Sequence, residues 1–175
     1  FVDSIKSREF YKISLSNLNC NLNLDVKRCI YDYYYDYFVK KENKAEMSIE
    51  EIFLKYDTDK NSSFHNYTRQ YEALLNNFRG KPIKYLEIGV FNGGSVKAMR
   101  EVFKNGECIL GLDINEKCKM YEDVENNIFI EIGDATDANF IQSITAKYGS
   151  FDIILDDGSH TNEDVIKSFE LLFAF

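Results

Sequence analysis

From residue 84 onward, short apolar runs alternate with segments whose apolar residues recur every three or four positions. The runs have the length and apolar character of strands buried on both faces, and the recurring pattern is typical of amphipathic helices. The pattern predicts strands at 84–89, 108–113, 127–132 and 151–156, helices at 94–104, 137–148 and from 162 to the end, and a short helix or turn near 116–122. Strands separated by helices indicate an α/β fold with a doubly wound parallel sheet.

The first 80 residues have helical rather than strand patterning. Apolar and tyrosine side chains in 25–41 and 67–78 lie on single helical stripes, and the capping-box sequence Ser-Ile-Glu-Glu opens a further helix at 48–56. We therefore expect an N-terminal helical region, 1–80, beside an α/β core, 81–175.

The predicted strand order is 3-2-1-4, which places the fourth strand at an edge of the sheet. Its sequence, Ile153-Ile154-Leu155, is too apolar for an edge strand in water. We expect the native protein to continue beyond Phe175 with further strands, or a partner to cover this edge.

The charge of the chain is uneven. Its 175 residues have a formal net charge of -8, from 21 Lys and Arg and 29 Asp and Glu. Residues 81–175 contain nine basic and 17 acidic side chains, so the whole excess belongs to the second part. This balance disfavours nucleic acid as a partner and favours a cationic ligand or a metal ion.

The apolar runs and the cysteines bear on location. The longest runs, such as 171–175, are far shorter than the about 20 residues that cross a bilayer, so we expect no membrane contact. Cys20, Cys29, Cys108 and Cys118 form neither a C-x-x-C pair nor a zinc spacing. Free thiols in a reducing cytoplasm are the expectation.

Oligomerisation is open, although the aromatic helix at 25–41 could supply an interface.

The segment 85–95 reads as strand, glycine-bearing turn and helix start, the first half of a βαβ unit. Such a turn creates a ligand crevice at the carboxyl edge of a parallel sheet. Its spacing, from Gly89 to Gly94, is G-x-x-x-G-G rather than the G-x-G-x-x-G that binds a dinucleotide pyrophosphate. Glu87, two residues before the first glycine, is expected to face the pocket and repel an anionic cofactor.

Each predicted strand ends in or beside a carboxylate. These residues are Glu87, Asp113, Asp134, Asp156 and Asp157. The carboxyl ends of parallel strands lie on one side of a sheet, so the five side chains should converge. Asp113 follows Gly89 by 24 residues, close to the position that binds ribose hydroxyls in nucleotide-binding sheets. Because the predicted turns contain no Lys or Arg, the expected ligand is a positively charged adenosine compound such as S-adenosylmethionine.

At these residues the sequence resembles the class I S-adenosylmethionine-dependent methyltransferases, which have a Rossmann-like core. The segments that look like their four motifs are Glu87-Ile-Gly89-Val-Phe-Asn-Gly93-Gly94, Gly111-Leu-Asp113, Gly133-Asp134-Ala135 and Asp152-Ile-Ile-Leu-Asp156-Asp157. More narrowly, residues 156–160 (Asp-Asp-Gly-Ser-His), with Asp59-Lys60 and 65–72, are similar to the macrolide sugar O-methyltransferases and the cephalosporin hydroxylase-like group. The resemblance covers about residues 48–175.

The resemblance implies methyl transfer to a hydroxyl of a sugar or glycosylated small molecule. It assigns the methionine part of the cofactor to Glu87, Gly89, Gly93 and Gly94, the ribose to Asp113, and the adenine edge to Asp134 and Ala135, with Asp156 as a further cofactor-binding residue. It also implies His160 as the base and Asp157 as a catalytic ligand of Mg²⁺. Such enzymes complete the metal site with an acidic pair after a fifth strand.

Other interpretations stay open. The segment 156–164 could be only a helix entry, with Thr161 as N-cap and Asp164 at N3, and Asp113 and Asp134 could be ordinary turn residues. A nicotinamide-dependent oxidoreductase could use a similar fold, although its phosphate-binding turn is not found. A non-catalytic binding module would have a vestigial pocket. The sequence does not identify the acceptor.

Overall fold

The computed structural model describes residues 46–173. Nearly all of the described residues belong to one compact unit, Met47–Phe175. The helix predicted at 25–41 lies outside the described residues. The division of the chain at residue 80 stays a prediction.

The described unit is built on a four-stranded parallel sheet. Its strands are β1 (Lys84–Ile88), β2 (Cys108–Asp113), β3 (Ile128–Ile132) and β4 (Ile153–Asp156). Their order is β3-β2-β1-β4, which confirms the predicted topology. Leu86 at the centre of β1 is in register with Leu110 of β2 and Ile154 of β4.

The helices match the predicted ones, with shorter ends. They are α1 (Ile49–Phe53), α2 (Thr68–Leu75), α3 (Gly94–Val102), α4 (Ala138–Tyr148) and α5 (Asn162–Phe173), with 3₁₀ segments at Asn76–Phe78, Glu116–Tyr121 and Val124–Asn126. Helix α3 ends before Phe103, whose φ of -103° and ψ of 63° leave the helical region. The capping box of α1 is confirmed, because Ser48 and Glu51 exchange side-chain-to-backbone hydrogen bonds of 3.2 and 2.7 Å.

Helices cover both faces of the sheet. Neighbouring residues of a strand point to opposite faces, and both faces carry apolar side chains that need cover. Tyr85 packs with α1 and α3 in one apolar cluster, and Leu86 packs with α4 and α5 in another. This burial explains why the strands read as continuous apolar runs rather than as alternating ones.

The loop 57–67, between α1 and α2, is tied to both helices. The Glu50 carboxylate accepts hydrogen bonds from the backbone N–H of Ser62 at 3.1 Å and from the hydroxyls of Ser62 and Thr68. The carbonyl oxygen of Lys60 accepts from the backbone N–H of Tyr67 at 2.9 Å and of Thr68 at 3.3 Å. These contacts fix the backbone at Lys60.

Strand β4 lies at the edge of the described sheet, as predicted, and Ile154 is 40% exposed there. Large apolar side chains of α5 are also exposed, including Ile166, Phe169 and Phe173. The cover of this edge by further strands or by a partner stays a prediction. Within residues 46–173 no helix is both long enough and apolar enough to cross a bilayer.

Both cysteines in the described part of the chain, Cys108 and Cys118, are buried free thiols. Burial raises the pKa of each thiol to about 11, so neither is a reactive thiolate at neutral pH. Cys20 and Cys29 lie outside the described residues.

Candidate active site

A cleft of about 880 Å³ opens at the carboxyl ends of the strands, where the sequence predicts the ligand. Seven of the ten predicted site residues line it, namely Gly89, Asp113, Asp134, Ala135, Asp156, Asp157 and His160. The other three, Glu87, Gly93 and Gly94, are buried and do not line the cleft.

The turn after β1 requires glycine because the chain passes close to its neighbours. Gly89 has a φ of +91°, and a Cβ added there would overlap the backbone carbonyl of Asp157. That contact is fixed by a hydrogen bond of 2.9 Å from the N–H of Asp157 to the carbonyl of Ile88. Gly93 and Gly94 are confined in the same way, by a side chain and by backbone respectively. Gly89 therefore forms part of the cleft wall, whereas Gly93 and Gly94 are buried away from the cleft.

Asp113, at the end of β2, holds this turn in place. Its Oδ2 accepts hydrogen bonds from the backbone N–H of Val90 at 2.9 Å and Phe91 at 3.1 Å, and its Oδ1 accepts from that of Asn115 at 2.8 Å. Burial opposes ionisation, but these hydrogen bonds outweigh it and lower the pKa of Asp113. The residue predicted to bind ribose therefore also ties β1 to β2.

Asp134 and Ala135 follow the end of β3 and line the cleft together with Ile114. Oδ1 of Asp134 accepts from the N–H and the hydroxyl of Thr136, both at 2.8 Å, and these bonds lower the pKa of Asp134. Ile114, which also lines the cleft, is 76% exposed. An apolar surface with a carboxylate on its rim suits the flat face and polar edge of an aromatic base.

Lys60 lies among three carboxylates at the end of the cleft near β1 and β4. Its Nζ contacts Asp157 directly and is 3.5 Å from Oδ1 of Asp59 and 3.8 Å from Oε1 of the fully buried Glu87. The hydroxyl of Tyr85 donates to the other oxygen of Glu87 at 3.1 Å. Burial lowers the pKa of Lys60, but the surrounding carboxylates outweigh burial and raise it, so Lys60 stays charged.

The sequence interpretation missed this lysine as a cleft residue. It expected no Lys or Arg in the turns of the sheet, and Lys60 comes instead from the loop 57–67. It also expected the charge of Glu87 to face the pocket, whereas the structure buries that side chain completely. The sequence did contain a signal for this lysine, because the Asp59-Lys60 pair is one of the segments that resemble the family. That resemblance assigned no role to the pair.

Glu87 should make the stability of the protein depend on pH. Burial raises its pKa from 4.5 to about 7, although Lys60 opposes this. Since the folded form keeps a proton that the unfolded form releases between these values, the contribution is full below pH 4.5 and is lost as pH rises through about 7.

Urea unfolding at pH 5 and pH 8 checks this prediction, with Glu87→Gln as the comparison. Relative to that variant, the wild type should lose up to about 3 kcal/mol of unfolding free energy between the two values. Parallel pH profiles for the two proteins would contradict it.

His160 projects into the cleft from the segment after β4. It has a φ of 60°, its side chain is 73% exposed, and its Nε2 is 3.8 Å from Oδ1 of Asp157. A non-glycine residue in the left-handed region is uncommon, and such residues cluster at functional sites. The other histidine, His65, also lines the cleft, where its ring stacks on that of Tyr67.

The helix-entry interpretation of this segment is correct, and it does not exclude a site. Oγ1 of Thr161 accepts from the N–H of Asp164 at 3.2 Å, and the Asp164 carboxylate accepts from the Ser159 hydroxyl at 2.6 Å. Asp156 accepts from the hydroxyl of Ser168 on α5 at 2.5 Å. The hydrogen bonds of the helix entry join Ser159, Thr161 and Asp164, and they do not engage the side chains of Asp157 and His160, which also line the cleft.

The described residues do not form a metal site by themselves. No three His, Cys, Asp or Glu side chains between residues 46 and 173 are grouped so that they could hold a metal ion. Asp157, the predicted ligand, is already paired with the ammonium of Lys60. A divalent ion there would have to displace that ammonium.

The chain is similar to several O-methyltransferases. Demethylmacrocin O-methyltransferase of Streptomyces fradiae is 35% identical over 136 residues, which are 74% of this chain and 33% of that enzyme. Mycinamicin VI 2''-O-methyltransferase of Micromonospora griseorubida is 36% identical over 132 residues, 71% of this chain and 32% of that enzyme. The chain spans about a third of the length of these relatives. No protein-family model matches it.

The chain is also similar in structure and sequence to a solved methyltransferase. The MycE methyltransferase of the mycinamycin biosynthetic pathway, in complex with Mg and SAH (S-adenosylhomocysteine), has a TM-score of 0.68 and 34% identity, covering 74% of this chain and 34% of that one. MycE with Mg, SAH and mycinamycin VI has a TM-score of 0.68 and 29% identity, covering 89% of this chain and 45% of that one.

Proposed function

We propose that this chain, a homologue of the macrolide and tetracenomycin sugar O-methyltransferases, belongs to an enzyme that transfers a methyl group from S-adenosylmethionine to a hydroxyl of a sugar or glycosylated small molecule. The observation that supports this most is the set of carboxylates around one glycine-walled cleft at the strand ends. Such a cleft suits a positively charged nucleoside better than one bearing phosphates.

The residues of the cleft fit this cofactor. Asp134, Ala135 and the exposed Ile114 would hold the adenine, and Asp113 would take a ribose hydroxyl. A carboxylate has about four lone-pair sites, so the three backbone hydrogen bonds of Asp113 leave at most one site, beside the Cys118 thiol, for a ribose hydroxyl. The turn at Gly89, with Asp157 opposite, would enclose the methionine part.

Glu87 acts in this proposal through its neighbours, because its carboxylate is fully buried. It accepts from Tyr85 and faces the ammonium of Lys60, which does line the cleft. The predicted link between Glu87 and the methionine part is therefore an indirect one.

His160 is the proposed base. When bound, the cofactor supplies a methyl group on a sulfonium, which an acceptor oxygen can attack in line. As that oxygen bonds to the methyl carbon and the carbon–sulfur bond breaks, with the sulfur leaving as a neutral thioether, the hydroxyl proton would pass to Nε2 of His160, and the nearby Asp157 carboxylate would stabilise the resulting imidazolium. The exposed position of His160 leaves this nitrogen open to an acceptor.

The Mg²⁺ predicted at Asp157 stays a prediction, and no step of this mechanism depends on it. Asp157 would be one oxygen ligand of the ion. The described residues show no grouped set of three, and the Lys60 ammonium already pairs with Asp157.

The role of His160 is testable with a matched pair of variants, because the chain has only two histidines. His160→Asn removes the base with a residue that tolerates positive φ, and His65→Asn removes the other histidine of the cleft. Methyl transfer from labelled S-adenosylmethionine to a panel of glycosylated acceptors should fall about a hundredfold or more in His160→Asn and less in His65→Asn.

Binding of S-adenosylhomocysteine serves as the control, and it should be nearly unchanged in His160→Asn. Full turnover in that variant would contradict the base role and would favour the interpretation of the protein as a binding module.

A further inference from the structure

Aspartates outnumber lysines and arginines in the part of the cleft that the structure describes. Among residues 46–173, Lys60 is the only Lys or Arg that lines it. The aspartates that line it are Asp59, Asp113, Asp134, Asp156, Asp157 and Asp164. A ligand with an α-amino-acid end brings both an ammonium and a carboxylate. Among the described residues of the cleft, carboxylates for the ammonium are abundant, and Lys60 is the lysine placed to neutralise the carboxylate.

The ammonium of Lys60 has hydrogen-bonding capacity left for a ligand. An ammonium has three N–H donors, and this one has a single close contact, with Asp157. Asp59 and Glu87, at 3.5 and 3.8 Å, lie beyond the about 3.2 Å of an ordinary N–H···O hydrogen bond. At least one donor is therefore available to an acceptor in the cleft.

The position of this ammonium is fixed from both sides. The hydrogen bonds at the carbonyl of Lys60 hold its backbone, and its side chain is only 7% exposed. Oε1 of the buried Glu87 lies 3.8 Å from the ammonium nitrogen, and the direct contact is with Asp157, which lines the cleft. A preorganised charge of this kind binds an opposite charge at little entropic cost.

We propose that Lys60 binds the carboxylate of the amino-acid part of the nucleoside ligand, while Asp157 is left to the ammonium of the same ligand. Lys60 is then a specificity-determining residue that distinguishes a complete amino-acid end from a truncated one. The inference rests on the proposed function, since it concerns the same ligand.

Calorimetry with two ligands and two variants tests it. S-adenosylhomocysteine and its decarboxylated analogue share the nucleoside and the ammonium and differ in the carboxylate. The wild type should bind the first at least about tenfold more tightly, and Lys60→Met should reduce this preference to about threefold or less. Lys147→Met, which removes a lysine paired with Glu131 at 2.6 Å outside the cleft, should keep the full preference.

The outcomes distinguish a failure of this inference from a failure of the proposed methyltransferase function. If the wild type binds neither ligand, the proposed function fails. If it binds both equally, or if Lys60→Met retains the preference, only the role of Lys60 is overturned.

A measurement on the wild type covers the case in which Lys60→Met does not fold. The NMR signal of the Lys60 side-chain ammonium, assigned with Lys60→Arg, should shift when S-adenosylhomocysteine binds and much less with the decarboxylated analogue. Equal shifts would overturn the assignment.

Discussion

Replacing Gly89 with alanine should lower the free energy of unfolding by about 2 to 5 kcal/mol and abolish nucleoside binding. The added Cβ would overlap the carbonyl of Asp157. Neither segment can easily move, because the N–H of Gly89 donates to the carbonyl of Leu112 at 2.8 Å and that of Asp157 to Ile88 at 2.9 Å. Urea unfolding and titration with S-adenosylhomocysteine measure the two effects.

Gly80→Ala is the matched control for this prediction. Gly80 also has a positive φ, of +75°, but a Cβ there would meet nothing within 4 Å. It should cost only about 1 kcal/mol of backbone strain and leave binding intact. Equal losses in the two variants would mean that strain alone, and not the approach of β4 to the turn, determines the effect.

Asp113→Asn should cost about 2 to 4 kcal/mol of stability although it preserves the shape of the side chain. Three backbone N–H groups, from Val90, Phe91 and Asn115, point at the two carboxylate oxygens. An amide places an NH₂ group against at least one of them and removes the charge that strengthens the others. Affinity for S-adenosylhomocysteine should fall more than about tenfold as the turn loosens.

Asp134→Asn provides the comparison, and denaturant titration of both variants measures the difference. Asp134 is exposed, and its carboxylate accepts hydrogen bonds from the N–H and the hydroxyl of the neighbouring Thr136. Its loss should cost less than about 1 kcal/mol. Equal destabilisation by the two substitutions would show that Asp113 does not organise the turn.

The sheet could be predicted from the sequence because its central strands, β1 and β2, are buried on both faces. Parallel strands covered by helices read as apolar runs, and Leu86, Leu110 and Ile154 occupy matching positions in three of them. The carboxylates that follow the strands then have to meet at one edge. Asp113, Asp134 and Asp157 were predictable on that ground alone.

The local roles of these residues could not be read in the same way. Asp113 binds backbone N–H groups more than 20 residues before it, and the backbone pattern that creates those donors appears only in the folded turn. Lys60 precedes Glu87 by 27 positions in the sequence. It reaches the cleft because Glu50 and α2 fix the loop 57–67, to which it belongs. Such contacts depend on tertiary packing and leave no periodic signal in the sequence.

Titration calorimetry with S-adenosylhomocysteine and NAD⁺ tests the central claim, that the acidic cleft at the strand ends selects a nucleoside without phosphates. The structure predicts a single site for S-adenosylhomocysteine, lost in Gly89→Ala, and affinity for NAD⁺ at least about tenfold weaker. Binding of NAD⁺ with equal or greater affinity, or no binding of S-adenosylhomocysteine by the folded protein, would contradict it.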